Sequence, residues 1–261
     1  MKITIIGAGH MGGAIARGLT KGTVFQAKDI TVTDVKQENL DKIKAFNSDI
    51  NVSLYSTEEL NDADIVLLAV KPWLVEDVIG ELKFNLDLSR QIIASVAAGV
   101  TVDNLLDWLG ADYSTVFRIM PNTAVEVSQS MTAISSYNAK KEQENLMLSI
   151  FNELGKAVLI SENQMNAFMA LCSCGIANAF RYVRAATEGG VQMGISADVS
   201  KEAVLQTLRG AIDLLEHTGG HPEAEIDKVT TPGGTTIRGL NAMEAHGFTN
   251  AVIQGLLAAK G

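Results

Sequence analysis

Long apolar runs, proline, cysteine and basic charge are all in short supply in this chain of 261 residues. No window approaches the about 18 uninterrupted apolar residues that a membrane helix needs, so no segment is expected to cross a bilayer. The short apolar run at 3–6 is cut off by Gly7, His10 and Arg17 before a signal-peptide core can form. Two cysteines, Cys172 and Cys174, are too few and too close for a disulfide framework, and the expected location is cytoplasmic. Four prolines, 20% charged and 47% hydrophobic residues exclude a disordered chain. Lysine and arginine number 21 against 30 acidic residues, giving a net charge of −9. Such a balance offers no basic face for a phosphate backbone, so no nucleic-acid partner is expected. It leaves room for a small anionic substrate, because a few backbone N–H groups hold one against an acidic background.

What is present is an alternation of short β-branched runs and helical stretches through the first half. Strands are expected at 2–6, 30–33, 65–70, 92–96, 115–119, 131–134 and 157–160, with helices at 11–20, 37–46, 74–82 and 102–109 between them. The run from Ile65 to Val70 is apolar on both faces, which suits a central parallel strand. The alternation predicts an α/β Rossmann-like domain over 1–161, a mostly parallel doubly wound sheet with helices on both faces. From 162 to 261 few strand-like runs remain, and 164–190, 199–218 and 236–259 read as helices. In the second of these, Val204, Leu208, Ala211, Ile212 and Leu215 make a broad apolar stripe. The expectation is an all-α C-terminal domain of about 100 residues, too small for its wide stripes unless a second copy covers them.

The first strand runs directly into Gly7-Ala8-Gly9-His10-Met11-Gly12, followed by a helix. A glycine triplet at this spacing is weak evidence in isolation and strong evidence between a buried strand and a helix. Gly7 permits the tight turn, Gly9 lets backbone approach a pyrophosphate, and Gly12 lets helix lie close on strand. The helix N-terminus then presents N–H groups to the phosphates. This is a dinucleotide site, with His10 and Met11 inside the turn. Asp34, after the second strand, stands where an acidic residue takes the ribose 2′-OH of NAD, while Lys36 offers a partner for the 2′-phosphate of NADP. Asp34 also reads as a cap for the following helix; as ligand groups the two side chains pull in opposite directions, so cofactor choice stays open at this point.

Other polar clusters end further strands: Ala69-Val70-Lys71-Pro72, Ala97-Ala98-Gly99, and Arg118 through Thr123. Small residues there allow a nicotinamide ring to lie flat on backbone, or are ordinary loop starts. In the helical half, Thr231-Pro232-Gly233-Gly234-Thr235-Thr236 leads into the periodic Ile237, Leu240 and Met243. Successive N–H groups of Gly233, Gly234 and Thr235 form either a carboxylate nest or a capped turn. Cys172, Cys174, His217 and His221 do not make a metal set: Cys-x-Cys in a helix points the thiols apart, and no metal is expected. Signatures of nucleophilic catalysis, of the zinc-protease helix and of the P-loop lysine are all missing from the sequence.

Taken in order, the motifs resemble those of the pyrroline-5-carboxylate reductase family, the last enzymes of proline biosynthesis, over nearly the whole chain. They are Gly7 to Gly12, Ala69 to Pro72, Ala97-Ala98-Gly99-Val100, Met120-Pro121-Asn122-Thr123, His221-Pro222, and Val229 to Thr236 with Gly239-Leu240. Many reductases share the first; the proline–glycine–glycine block, with Glu244 and Gly247-Phe248 after it, is the most specific.

The resemblance implies an oxidoreductase transferring hydride from NADPH, or NADH, to the C=N bond of 1-pyrroline-5-carboxylate, giving L-proline. It implies a homodimer with an interleaved helical domain, in some members built into larger rings. Carried over residue by residue, Ser56, Ala69, Val70, Lys71, Pro72 and Ala97 contact nicotinamide and ribose. Backbone from Thr231 to Thr235 holds the substrate carboxylate, and the Thr236 hydroxyl faces the imine nitrogen. One block departs from the pattern: Cys172-Ser173-Cys174-Gly175-Ile176-Ala177-Asn178 replaces the family's Ser-Gly-Ser-Gly-Pro-Ala-Tyr, and His10 replaces an asparagine. That departure motivates a rival reading, a reductase of a related cyclic imine. A β-hydroxyacid dehydrogenase of similar architecture needs a helix lysine as acid/base, and none lies between Met165 and Arg184.

Overall fold

The computed structural model describes residues 1–54 and 57–260. It divides into two compact units, Met1–Ser173 and Cys174–Gly261. In the first, eight strands form one sheet: β1 (Ile3–Ile6), β2 (Ile30–Thr33), β3 (Asn51–Ser53), β4 (Ile65–Leu68), β5 (Ile92–Ser95), β6 (Thr115–Met120), β7 (Ser130–Tyr137) and β8 (Gly155–Leu159). Their order is β3-β2-β1-β4-β5-β6-β7-β8. All neighbouring pairs are parallel except β6 with β7, which run antiparallel. That exception fits the short connection between them, because a parallel return needs a crossover. β1, β4 and β5 are buried at every position, as suits their mostly apolar runs, with Thr4 and Ser95 buried among them.

The helices of this unit are α1 (His10–Leu19), α2 (Gln37–Phe46), α3 (Val75–Leu82), α4 (Val102–Leu109), α5 (Lys141–Asn152) and α6 (Met165–Phe168). Alternate strand residues serve opposite faces. Ile3, Ile5, Ile65 and Leu67 meet Ile15, Leu19, Leu40, Ile43, Ile150 and Phe151 on one side. Ile6, Val66 and Leu68 meet Val75, Ile79, Leu82, Leu105 and Leu109 on the other. Register fixes the functional edge: Ile6 pairs with Thr33 and with Leu68, Leu68 with Ser95, and Ser95 with Arg118. The strands therefore finish in line, and the loops beginning at Gly7, Asp34, Ala69 and Val96 leave from one edge.

The 164–190 region is more broken than periodicity suggests. After α6 a π-helical stretch runs over Met169–Cys174, and α7 (Gly175–Gln192) continues. Met165 belongs to a small cluster with Met120 and Ala133 at the end of β6 and in β7. The first compact unit therefore extends to Ser173, past the change of sequence grammar at 161. The second unit adds α8 (Ala197–Thr218), α9 (Pro222–Val229), α10 (Thr235–Ala245) and α11 (Phe248–Ala259). The 236–259 stretch is two helices because Gly247 adopts φ +76 between them. In this unit no apolar side chain is fully buried among the described residues; the last is Ala170. No helix is long and apolar enough to cross a membrane among the described residues.

Candidate active site

The glycine-rich turn is shaped by close approach. Gly7 has φ +106, and a Cβ there would stand 2.8 Å from the carbonyl oxygen of Ala69. A Cβ on Gly12 would drive into the Gly7 carbonyl oxygen and reach 2.9 Å from the Ala69 Cβ. Only glycine at both positions lets α1 settle on β1 and β4. Gly9 differs, since a Cβ there would meet nothing within 4 Å. It is the N-cap of α1, with no side chain capping the helix and no acidic residue in its first turn. His10 is exposed and Met11 half-buried beside it. Open space above Gly9, free N–H groups and the positive end of a helix dipole together fit a dinucleotide pyrophosphate.

Asp34 sits next to this turn at the end of β2. Its Oδ2 accepts from the Ala8 N–H at 2.8 Å and from the Asn39 side-chain amide at 3.1 Å, and its Oδ1 accepts from the Lys36 N–H at 2.8 Å. The carboxylate thus ties two strand-end loops together. Lys36 is exposed at the N-cap of α2. Across β1, Ala69 and Val70 are half-buried at the end of β4, Lys71 is exposed, and Pro72 opens the turn into α3. Ala97 is buried at the end of β5. The sheet thus brings Gly7 to Gly12, Asp34, Lys36, Ala69 to Pro72 and Ala97 to one edge. Ser56 lies outside the described residues.

Three side chains at this edge have partners that sequence reasoning did not supply. Asn39, the second-loop partner of Asp34, carries no motif. Arg118 is 3% exposed, and its Nη1 stands 2.6 Å from Glu162 Oε1, an oxygen that also accepts from the Val102 N–H at 3.4 Å. A lone arginine inside the apolar Thr115–Met120 run was its sequence signal. Asn122 is the third: its side-chain oxygen accepts from the Ala124 N–H at 2.9 Å, and its amide donates to the Cys172 carbonyl at 3.3 Å. Ser173 Oγ adds a 3.3 Å bond to the Pro121 carbonyl. The departing Cys-Ser-Cys block therefore forms π-helical backbone fastened to the Pro121-Asn122 corner. Burial pushes the Cys172 thiol above its ordinary pKa, so it is no activated thiolate.

In the second unit, Gly233 takes φ +69 and Gly234 is the N-cap of α10, without a side-chain cap. The Gly234 N–H donates to the Thr231 carbonyl at 2.9 Å. One of the three successive N–H groups thus closes the turn. Gly233 and the helix-start N–H groups of Thr235 and Thr236 are left to face an anion. Thr231, Thr235 and Thr236 are exposed in the single chain.

Comparison with known proteins agrees with this arrangement. Residues 162–261 match the sequence model described as pyrroline-5-carboxylate reductase dimerisation, and residues 2–99 match that of the NADP oxidoreductases, coenzyme F420-dependent. Pyrroline-5-carboxylate reductase 1 of Dictyostelium discoideum is 35% identical over 98% of this chain, which spans 48% of that longer protein. Pyrroline-5-carboxylate reductase 2 of the same organism is 34% identical over 98% of this chain and 89% of its own length. The crystal structure of Plasmodium falciparum pyrroline carboxylate reductase, with NADP bound, superposes with a TM-score of 0.90 at 25% identity, covering 100% of this chain and 95% of that one. A glycine cradle at the sheet edge, a dimerisation segment and full-length relatives lead to one assignment: the chain belongs to the pyrroline-5-carboxylate reductase family.

Proposed function

We propose that this chain reduces the C=N bond of 1-pyrroline-5-carboxylate to L-proline with NADPH or NADH. The observation that carries the reading is the glycine-rich cradle, open only above Gly9, in a chain whose family match covers 98% of its length. The nicotinamide cofactor, when bound, supplies the hydride. Gly9 and the α1 N-terminus hold its pyrophosphate, while Ala69, Val70, Lys71, Pro72, Ala97 and Ser56 bed the nicotinamide and ribose. The N–H groups around Gly233 to Thr236 hold the substrate carboxylate, and Gly234 with Thr231 keeps that turn closed. A protonated imine is already electrophilic, so no strong acid is required; the chain's tasks are orientation and exclusion of water. The Thr236 hydroxyl orients the ring nitrogen, which keeps its proton while the imine carbon receives the hydride.

The same reading has the protein act in the cytoplasm as a homodimer. The replaced 172–178 block favours a second reading, a related cyclic imine as preferred substrate. Loss of nicotinamide absorbance on adding pyrroline-5-carboxylate, with NADPH and NADH in parallel, tests both. Rapid substrate-dependent loss is expected. Turnover only with another cyclic imine would select the second reading, and none with any imine would refute both.

A further inference from the structure

We propose that Asp34 is a positioning residue for the glycine-rich turn, not a reader of the cofactor ribose, and that preference for a 2′-phosphorylated dinucleotide is set by Lys36. A carboxylate has about four acceptor sites. Three of those of Asp34 are filled by the Ala8 N–H, the Asn39 amide and the Lys36 N–H, at 2.8, 3.1 and 2.8 Å. A ribose diol would need two, and one remains. The same bonds join the glycine-rich turn to the start of α2, a join that the 2.7 Å bond from the Gly7 N–H to the Thr33 carbonyl reinforces.

With three donors around it, the Asp34 charge is met by protein, and its repulsion of a neighbouring phosphate is reduced. Beyond it the loop presents exposed Lys36, whose ammonium makes no ion pair among the described residues. Lys36 is the one cation between Asp34 and Asn39, and exposed Glu38 in the first turn of α2 opposes an anion. Within this loop discrimination therefore rests on a single ammonium.

The proposal rests on dinucleotide use in the reductase reading and not on the imine, so affinities are measured by nicotinamide fluorescence without substrate. Asp34→Asn is expected to weaken NADPH and NADH alike, by about 3- to 10-fold, because an amide cannot accept from all three donors. A ribose reader behaves oppositely: NADH weakens while NADPH holds or tightens, and that result overturns the proposal. Asn39→Ala leaves Asp34 in place and guards against a misfolded Asp34 variant. It should weaken both cofactors slightly, whereas tighter NADH binding would show that the freed lone pair reads ribose. Lys36→Met should cost NADPH about tenfold relative to NADH; an unchanged ratio refutes the role of Lys36. Wild-type protein that binds neither cofactor overturns the proposal together with dinucleotide use. Normal binding without imine turnover removes only the reductase reading.

Discussion

Arg118 shows what one buried charge costs and holds at the residue scale. Its Nη1 meets Glu162, while its Nε and Nη2 and the Glu162 Oε2 are buried without partners among the described residues. Such a pair contributes little net stability, because desolvation offsets attraction, yet removing one member strands the other. Glu162→Gln should therefore lower unfolding free energy by about 1–3 kcal/mol. The double change Arg118→Met with Glu162→Leu should cost less than the sum of its single variants, read from urea midpoints at constant m-value. Strict additivity would mean the pair is not coupled. Thr236 calls for a kinetic measurement. Replacing it with alanine is expected to slow turnover 10- to 100-fold, a loss of about 1.4–2.7 kcal/mol of transition-state stabilisation. An unchanged kcat would remove its orienting role.

At the scale of elements, what was legible followed burial. The fully buried, mostly apolar strands β1, β4 and β5 and the amphipathic α1 to α4 stand within a residue or two of their expected positions, because each carries its own local pattern. β3 was missed: Asn51-Val52-Ser53 is a three-residue edge strand whose only cue is pairing with β2. α5 was missed because its polar first turns break the apolar stripe, and α9 because eight residues give too few repeats. The antiparallel turn of β7 and the π-helical 169–174 stretch depend on tertiary contacts. Of the site, the glycines were legible from spacing, while Asp34's partners and the Arg118–Glu162 pair needed three dimensions. α5 is held to β7 by Ser136 Oγ donating to Glu144 Oε1 at 2.9 Å, with Lys141 at 3.2 Å from Oε2. The Ser136 hydroxyl, then Lys141, hold the Glu144 carboxyl below its usual pKa. A depressed carboxylate adds stability above the unfolded pKa, about 4.3, and loses it as pH falls through the lower folded value. Ser136→Ala should thus destabilise at neutral pH, with a gap to wild type that narrows below about pH 4. A constant gap down to about pH 3 would contradict the assignment.

At the scale of the molecule, the 174–261 unit exposes side chains that a lone soluble chain would bury. Met193 is 78%, Phe180 63% and Leu257 60% exposed, and Ile212, Leu214 and Val229 are also open. Scattered apolar residues are ordinary on a surface, but five helices without one fully buried apolar side chain among the described residues are not. Helices of this kind gain their stability from packing an apolar face, so the covering surface has to come from another chain. The match of 162–261 to a dimerisation segment names that chain as a second copy. Folding and association should then be one process, with a melting temperature that rises with protein concentration. Light scattering at micromolar concentration should give at least twice the 27.8 kDa chain mass. Phe180→Asp with Leu257→Asp should shift the population toward single chains and lower the melting temperature, since a buried unpaired carboxylate is costly. A wild-type protein of one-chain mass, melting cooperatively at a temperature independent of concentration, would show that these faces are covered within one chain, against what the exposed side chains require.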